Sequence, residues 1–205
     1  MPTLILVRHG RSTANTEGLL AGWTPGVALD ERGAAQAAAL PGRLAELPLA
    51  EIVTSPLQRC QETLRPLLES RPDLSPHTDE RIGECHYGDW SGRKLAELKD
   101  EPLMEVVQAH PSAAARVERD HGADAVYLMC SHGDVIKSLV ADALGLHLDL
   151  FQRISVEPCS ITAIRYTRLR PFLVRLGDTG DFTSLAPREQ PPGGEAEVGG
   201  GAGAP

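Results

Sequence analysis

Two short apolar runs are the clearest structural signal in the chain. Residues 4–7 read Leu-Ile-Leu-Val and residues 126–130 read Val-Tyr-Leu-Met-Cys, with no polar interruption. Runs of this length and composition are typical of strands buried on both faces of a sheet. The pattern predicts a shorter strand at 51–54 and two further strands at 160–166 and 172–176.

The first helix follows a long polar loop over residues 10–30. Residues 31–40 are rich in alanine, and Asp30 stands directly before them as the expected N-cap. Pro41 is expected to end or kink this helix because it has no backbone N–H to donate. A second loop-rich stretch is predicted over residues 71–93.

Two more helices are predicted after the shorter strands. Ser55 and Pro56 are interpreted as the N-cap and first residue of a helix. Its apolar positions recur at helical spacing: Leu57, Cys60, Leu64, Leu67 and Leu68. Apolar residues between 135 and 144 predict a third helix, which Gly145 would end.

The sequence before the strand at 126–130 gives little support for the helix that should connect it to the rest of the sheet. A helix over residues 113–121 would present only Val117 and three alanines as its apolar face, which is thin for packing on a parallel sheet. Two explanations stay open: the connection is unusually short, or part of it is absent from the sequence. A truly missing segment would leave one wall of a substrate pocket absent.

Composition narrows the class of protein. The chain has 205 residues, enough for one well-buried core, which we assign to residues 1–186. Residues 187–205 are so rich in Pro, Gly and Glu that we expect a disordered tail.

The net charge of −8 argues against nucleic-acid binding, and no apolar stretch approaches the roughly 20 residues that span a membrane. The four cysteines form no C-x-x-C pair, so we expect free thiols and a cytoplasmic location.

The candidate chemistry lies where the two long apolar runs end. Arg8-His9-Gly10 follows the first run, and Ser131-His132-Gly133 follows the second. Ligands of open parallel sheets bind beyond the carboxyl ends of the strands. Both histidines are therefore expected to reach one crevice.

Two further residues suit phosphate chemistry. Arg59 falls in the first turn of a predicted helix, where a guanidinium and backbone N–H groups can bind phosphoryl oxygens together. Glu84 lies in a loop and could protonate a leaving alkoxide. A neutral imidazole between arginines can attack phosphorus, because nearby cations lower its pKa. This set needs no metal or other cofactor.

The ordered motifs resemble those of the histidine phosphatase superfamily, also called the phosphoglycerate mutase-like family. The resemblance spans roughly residues 4 to 180 and rests on four segments in order. They are Leu6-Val7-Arg8-His9-Gly10-Arg11-Ser12 with Asn15, Ser55-Pro56-Leu57-Gln58-Arg59, Glu84 with Tyr87-Gly88-Asp89-Trp90-Ser91-Gly92, and Ser131-His132-Gly133.

The resemblance implies a fold and a role for each residue. It implies a three-layer α/β/α fold with a mainly parallel central sheet flanked by helices. By position, His9 would be the phosphorylated nucleophile and Glu84 the general acid and base. The phosphoryl oxygens would be held by Arg8, Arg59 and His132, with Asn15 as a further polar contact and Gly133 also binding phosphate. His132 would count with His9 and Glu84 among the catalytic residues. The expected partner is a small phosphorylated substrate, and the family implies a homodimer.

Three functions stay open, with hydrolysis of small phosphomonoesters favoured. Mutases of this family have Glu-Arg-His-Tyr-Gly where this chain has Glu84-Cys85-His86-Tyr87-Gly88. Loss of that arginine at Cys85 disfavours a phosphomutase, which is the second alternative. A catalytically idle relative that binds a phosphorylated ligand is the third alternative, and the intact set of candidate residues disfavours it. Trp23 is interpreted as a packing residue that could also line a pocket.

Overall fold

The computed structural model describes residues 2–98, 125–167 and 169–180. Its strands are β1 (Thr3–Arg8), β2 (Leu49–Thr54), β3 (Pro76–Thr78), β4 (Val126–Ser131), β5 (Ile161–Tyr166) and β6 (Pro171–Asp178). Its helices are α1 (Thr13–Glu17), α2 (Glu31–Ala38), α3 (Leu40–Arg43), α4 (Gln58–Ser70), α5 (Leu95–Leu98) and α6 (Gly133–Leu144). Short 3₁₀ helices lie at Glu80–Ile82, Gly88–Trp90 and Leu148–Arg153.

The strands form one mixed sheet in the order β3-β2-β4-β1-β5-β6. β3, β2, β4 and β1 are parallel, whereas β5 and β6 add an antiparallel edge. All five predicted strands are present. Helices flank this sheet, so the three-layer α/β/α prediction is confirmed.

The two long apolar runs are continuous because both faces of the sheet are covered. On β1, Val7 packs into a core cluster with α2, α3 and α4, whereas Leu6 packs into a second cluster with α6. On β4, Leu128 and Tyr127 divide between the same two clusters. Full burial of one such aliphatic side chain contributes about 1.5–3 kcal/mol, so these runs hold the sheet between its helical layers.

Before β2, the helix boundaries differ from prediction in two places. Residues 13–17, expected within a loop, form α1, because Ser12 and Asn15 satisfy each other's backbone N–H groups in a capping box. Asp30 caps α2 as predicted, and its Oδ1 accepts from the backbone N of Gly33 at 2.7 Å. The helix then breaks at Ala39, and Pro41 lies in the first turn of α3.

Ser55 is not a helix N-cap, so that prediction is wrong. α4 begins at Gln58, and the extended Leu57 precedes it without a side-chain cap. The Ser55 hydroxyl instead lies 2.8 Å from Nε2 of His132. The helix prediction itself is confirmed, with Cys60 fully buried on its apolar face.

Three predictions concern residues that the structure does not describe. They are the weak connection at 113–121, the domain boundary at 186 and the tail at 187–205.

The expectation of free thiols is confirmed, since all four cysteines are unpaired. Within the described ranges, no helix is long and apolar enough to cross a membrane.

Candidate active site

The register of β1 and β4 brings the two histidine motifs together. Arg8 pairs with Ser131 at the carboxyl ends of the two parallel strands. The next residue, His9, donates its backbone N–H to the Ser131 carbonyl at 2.9 Å. The rings of His9 and His132 consequently lie 5.2 Å apart between centroids, tilted by 59°. The two imidazoles therefore lie side by side at the carboxyl ends of these strands, and both are buried.

His9 is held in one tautomer. Its Nδ1 lies 2.7 Å from the Gly10 carbonyl oxygen, which can only accept, so Nδ1 carries the proton. Its Nε2 is then unprotonated, and the lone pair on that nitrogen accepts from Nε of Arg59 at 3.3 Å. Burial, followed by the charges of Arg59 and Arg8, holds the pKa of His9 well below its usual value. The ring is neutral at physiological pH, and its unprotonated nitrogen faces Arg59.

Arg59 is the residue that joins the two histidines. As the second residue of α4 it is almost fully buried. One terminal nitrogen donates to the Gly22 carbonyl at 3.0 Å and also lies 3.2 Å from Nδ1 of His132. The guanidinium fork therefore contacts both rings and is itself fixed by the loop before α2.

Arg8 supplies a second buried cation. Its side chain is completely buried, and Nη1 donates to the Val156 carbonyl at 2.7 Å. Burial lowers the pKa of Arg8, whereas Glu84 and Glu157 act in the opposite direction. Two guanidinium groups in one crevice would offer forked donors to a tetrahedral dianion.

His132 contacts residues from three separate segments. Its Nε2 lies 2.8 Å from the Ser55 hydroxyl, while its Nδ1 lies 3.2 Å from Arg59 and 3.8 Å from Oε2 of Glu84. Burial is the main cause that holds the pKa of His132 well below its usual value, and Arg59 adds to it. His132 is therefore neutral here and precedes the first residue of α6, Gly133.

Glu84 brings a buried carboxyl group to the same place. Burial first, and the negative charge of Asp134 second, raise its pKa to about 7. Arg59, the backbone N–H of Cys85 and Arg8 act against this rise. A carboxyl group with this pKa can give and take a proton near neutral pH, as a general acid and base must.

Trp23 anchors the segment that carries Glu84. Its Nε1 donates to the Glu84 carbonyl oxygen at 2.5 Å, and its ring stacks on His86 at 4.6 Å. The ring also presses on Gly83, where an added Cβ would lie 2.4 Å from Trp23 Cζ2. Glycine at position 83 is therefore required by the close approach of the tryptophan.

Only some of the predicted site residues are in contact with one another. Contacts join His9, Arg59, His132 and Glu84 directly, and Arg8 lies beside them in the chain. Asn15 instead uses its side-chain oxygen to accept from the Ser12 backbone N–H at 3.0 Å. Gly133 contributes a backbone N–H at the start of α6. For all seven predicted site residues, the catalytic or phosphate-binding role stays a prediction.

Sequence reasoning missed several supporting contacts. Thr63 accepts from the Gly10 backbone N–H at 2.9 Å and donates to the Arg59 carbonyl at 2.6 Å. Its spacing of four residues from Arg59 on one helix is a signal that could have indicated this role. The arginines also donate to the backbone carbonyl groups of Val156 and Gly22. Residue type does not indicate such contacts, because every residue has a backbone carbonyl group. Among the described residues no group of three or more His, Cys, Asp or Glu could hold a metal ion.

Three comparisons relate the chain to known proteins. It is 30% identical over 194 residues to a 2,3-bisphosphoglycerate-dependent phosphoglycerate mutase of Bartonella henselae, covering 80% of this chain and 91% of that one. It is 38% identical over 98 residues to an adenosylcobalamin/alpha-ribazole phosphatase of Salmonella typhimurium, covering 48% of each. The solved structure of Bacillus stearothermophilus YhfR superposes with a TM-score of 0.72 at 27% identity, covering 87% of this chain and 98% of that chain.

The sequence profile of one family also matches nearly the whole described structure. It is the profile of the histidine phosphatase superfamily (branch 1), and it matches residues 4–116 and 101–179. The matched ranges contain both histidine motifs, Arg59 and Glu84. The chain belongs to the histidine phosphatase superfamily.

Proposed function

We propose that this protein hydrolyses small phosphomonoesters through a phosphohistidine on His9, with Glu84 as general acid and base and without a metal. One observation carries the proposal. The unprotonated Nε2 of His9 accepts a hydrogen bond from Arg59 at 3.3 Å, and its lone pair would be released for attack when Arg59 binds the phosphoryl oxygens. The buried Glu84 carboxyl group, 3.8 Å from His132, has a pKa of about 7. A nucleophile, an acid and two cations are thus together where a phosphoryl group would bind.

In the first step the phosphoryl group moves from substrate to enzyme. Arg8 and Arg59 would hold its oxygens, with the N–H group of Gly133 at the helix N-terminus as a further donor. Nε2 of His9 attacks phosphorus as the bond from phosphorus to the ester oxygen breaks. Glu84 gives its proton to that oxygen, so that a neutral alcohol leaves.

In the second step water regenerates the enzyme. The Glu84 carboxylate takes a proton from water, whose oxygen attacks phosphorus as the bond to His9 breaks. Inorganic phosphate leaves, and Glu84 is again protonated. The arginines stabilise charge on the transferring group in both steps, which is the electrostatic role a metal has in other phosphoryl-transfer enzymes.

A phosphomutase is the second candidate, and the relative from Bartonella henselae is the reason to keep it. A mutase must hold its phosphorylated product until the enzyme-bound phosphoryl group returns to it. The residue after Glu84 is a half-buried thiol, Cys85, and burial raises its pKa to about 12. A neutral thiol cannot attract a carboxylated sugar phosphate as a guanidinium would, which favours release of the product and hydrolysis.

The test is a paired assay on the full chain. Release of inorganic phosphate is measured on a panel of phosphomonoesters in the presence of EDTA, beside interconversion of 3- and 2-phosphoglycerate. The proposal expects phosphate release with EDTA present. Interconversion without net release would make the protein a mutase, and inactivity in both assays would leave a binding role. The homodimer and the cytoplasmic location stay predictions.

A further inference from the structure

A buried polar cluster lies beside the active site and takes no part in the steps above. Asp134, in the first turn of α6, is 3.2 Å from the ammonium group of Lys137, one turn further along. Lys137 also donates to Gln152 Oε1 at 3.0 Å. Tyr87 approaches the other carboxylate oxygen of Asp134 at 3.5 Å. We call these four residues the Asp134 cluster.

Stability alone is a poor reason for this cluster. Asp134 and Lys137 are both buried, with 7% and 3% of their surface exposed. A buried ion pair loses hydration on both partners, and apolar residues of similar volume are often as stable or more so. The cluster therefore calls for another explanation, and its position supplies one.

The cluster lies against the segment that carries the general acid. Residues 84–87 and 132–134 approach each other twice, once where Glu84 meets His132 at 3.8 Å and once where Tyr87 meets Asp134 at 3.5 Å. Both approaches lie between the same two short segments. Asp134 is therefore fixed near Glu84, and Tyr87 connects it to the Glu84 segment.

The surroundings of Glu84 contain opposing charges. Arg59 and Arg8 favour its carboxylate form, whereas His132 beside it is neutral and adds no further positive charge. Against the arginines, Asp134 is the charged neighbour that raises the pKa of Glu84, second in effect to burial itself. In the proposed reaction both arginines bind the phosphoryl group, so they cannot be dispensed with. A negative charge near Glu84 is therefore required to oppose their lowering of its pKa.

We propose that Asp134 is a positioning residue that keeps Glu84 in its protonated, proton-donating form beside the two arginines. Lys137 sets the strength of this effect, because its ammonium group partly neutralises Asp134. The inference rests on the role proposed for Glu84 as the general acid. It adds that the acid is tuned by a residue that need not touch the substrate.

The test is a direct titration of Glu84 by NMR, which does not depend on turnover. Protein labelled with ¹³C at glutamate side-chain carboxyl carbons is titrated, and the Glu84→Gln variant identifies the Glu84 signal. The decisive variant is the double change Asp134→Asn with Lys137→Met, which leaves no unpaired buried charge. Asp134→Asn alone is the second variant, and Asp149→Asn is the control because Asp149 is exposed on another element.

The expected order of Glu84 titration midpoints separates tuning from a structural role. In the double variant the midpoint falls by about one pH unit. In Asp134→Asn alone it falls further, because the Lys137 ammonium group is then unbalanced. The control leaves it unchanged. An unchanged or higher midpoint in the double variant overturns the inference even if Asp134→Asn alone does not fold.

Kinetics distinguish failure of this inference from failure of the proposed function. The alkaline limb of kcat/KM should move to lower pH by the same amount as the NMR midpoint. Wild-type protein without phosphatase activity but with the expected NMR order would overturn the proposed function and leave the electrostatic role of Asp134 intact. Normal phosphatase activity in wild type, with no change of the Glu84 midpoint in the double variant, would overturn the role of Asp134 and leave the proposed function intact.

Discussion

Replacing Glu84 by Gln should lower activity and at the same time stabilise the fold at alkaline pH. The carboxyl group is 6% exposed, and its pKa of about 7 lies above the ordinary value of 4.5. In the unfolded chain Glu84 ionises at its ordinary pKa, whereas in the folded protein it stays protonated to about pH 7. Folding stability is therefore lost as the pH rises from the lower value to the higher one.

The size of this effect follows from the two pKa values. At 1.36 kcal/mol for each unit, a displacement of about 2.5 units costs roughly 3 kcal/mol above pH 7. Gln cannot ionise, and its amide oxygen can still accept from the Cys85 backbone N–H, which donates to Glu84 Oε1 at 3.0 Å. The advantage of the variant over wild type should thus grow from nearly zero at about pH 4.5 to roughly 3 kcal/mol above pH 7, and persist at higher pH.

The assay combines denaturant unfolding at several pH values with turnover of two substrates. Glu80→Gln, at an exposed position in the same segment, is the control and should show neither effect. Turnover by Glu84→Gln should fall more for an alkyl phosphate than for a nitrophenyl phosphate, because only the poor leaving group needs protonation. An identical dependence of stability on pH in wild type and Glu84→Gln would refute the reasoning about burial. Equal losses for the two substrates would refute the role as acid.

Three further predictions test the rest of the site. The kcat/KM of wild type should decline as the pH rises through about 7, because Glu84 loses the proton it must donate; a profile flat to about pH 9 would contradict this. Arg59→Lys should lower kcat/KM by about 100-fold, since an ammonium group cannot make the forked contacts. Arg65→Lys, exposed on the same helix, should leave the rate unchanged, and similar rates in both variants would count against the fork. Trp23→Phe removes the donor to the Glu84 carbonyl and should slow alkyl phosphate turnover by about tenfold. Trp90→Phe is its control, and equal effects of the two changes on both substrates would argue against a role in placing the acid.

Much of the site could be predicted because it depends on the regular part of the fold. Apolar runs locate β1 and β4, and parallel pairing necessarily brings their carboxyl ends together. The proximity of His9 and His132 follows from this pairing, because each histidine comes directly after one of the two strands. Arg59 follows from its place in the first turn of a helix whose apolar stripe is clear in the sequence.

The remaining contacts could not be predicted because they join distant segments through groups without a residue signature. The carbonyl that holds Arg8 belongs to Val156, 148 residues away, and every residue type has such a carbonyl. Ser55 before a proline fits the pattern of a helix cap equally well, and only the fold shows that its hydroxyl contacts His132. The role of Trp23 depends on how closely the Gly83 backbone approaches it, which a single sequence does not encode locally.

The most direct test of the account is to trap the phosphoryl enzyme. Wild-type protein is mixed with ³²P-labelled substrate, quenched within milliseconds and analysed by peptide mass spectrometry under alkaline conditions, where phosphohistidine survives. The account predicts a label that is stable to alkali, labile to acid and located on His9, and it predicts neither label nor turnover in His9→Ala that is still folded. Turnover that persists in His9→Ala, or a label on another residue, would contradict it.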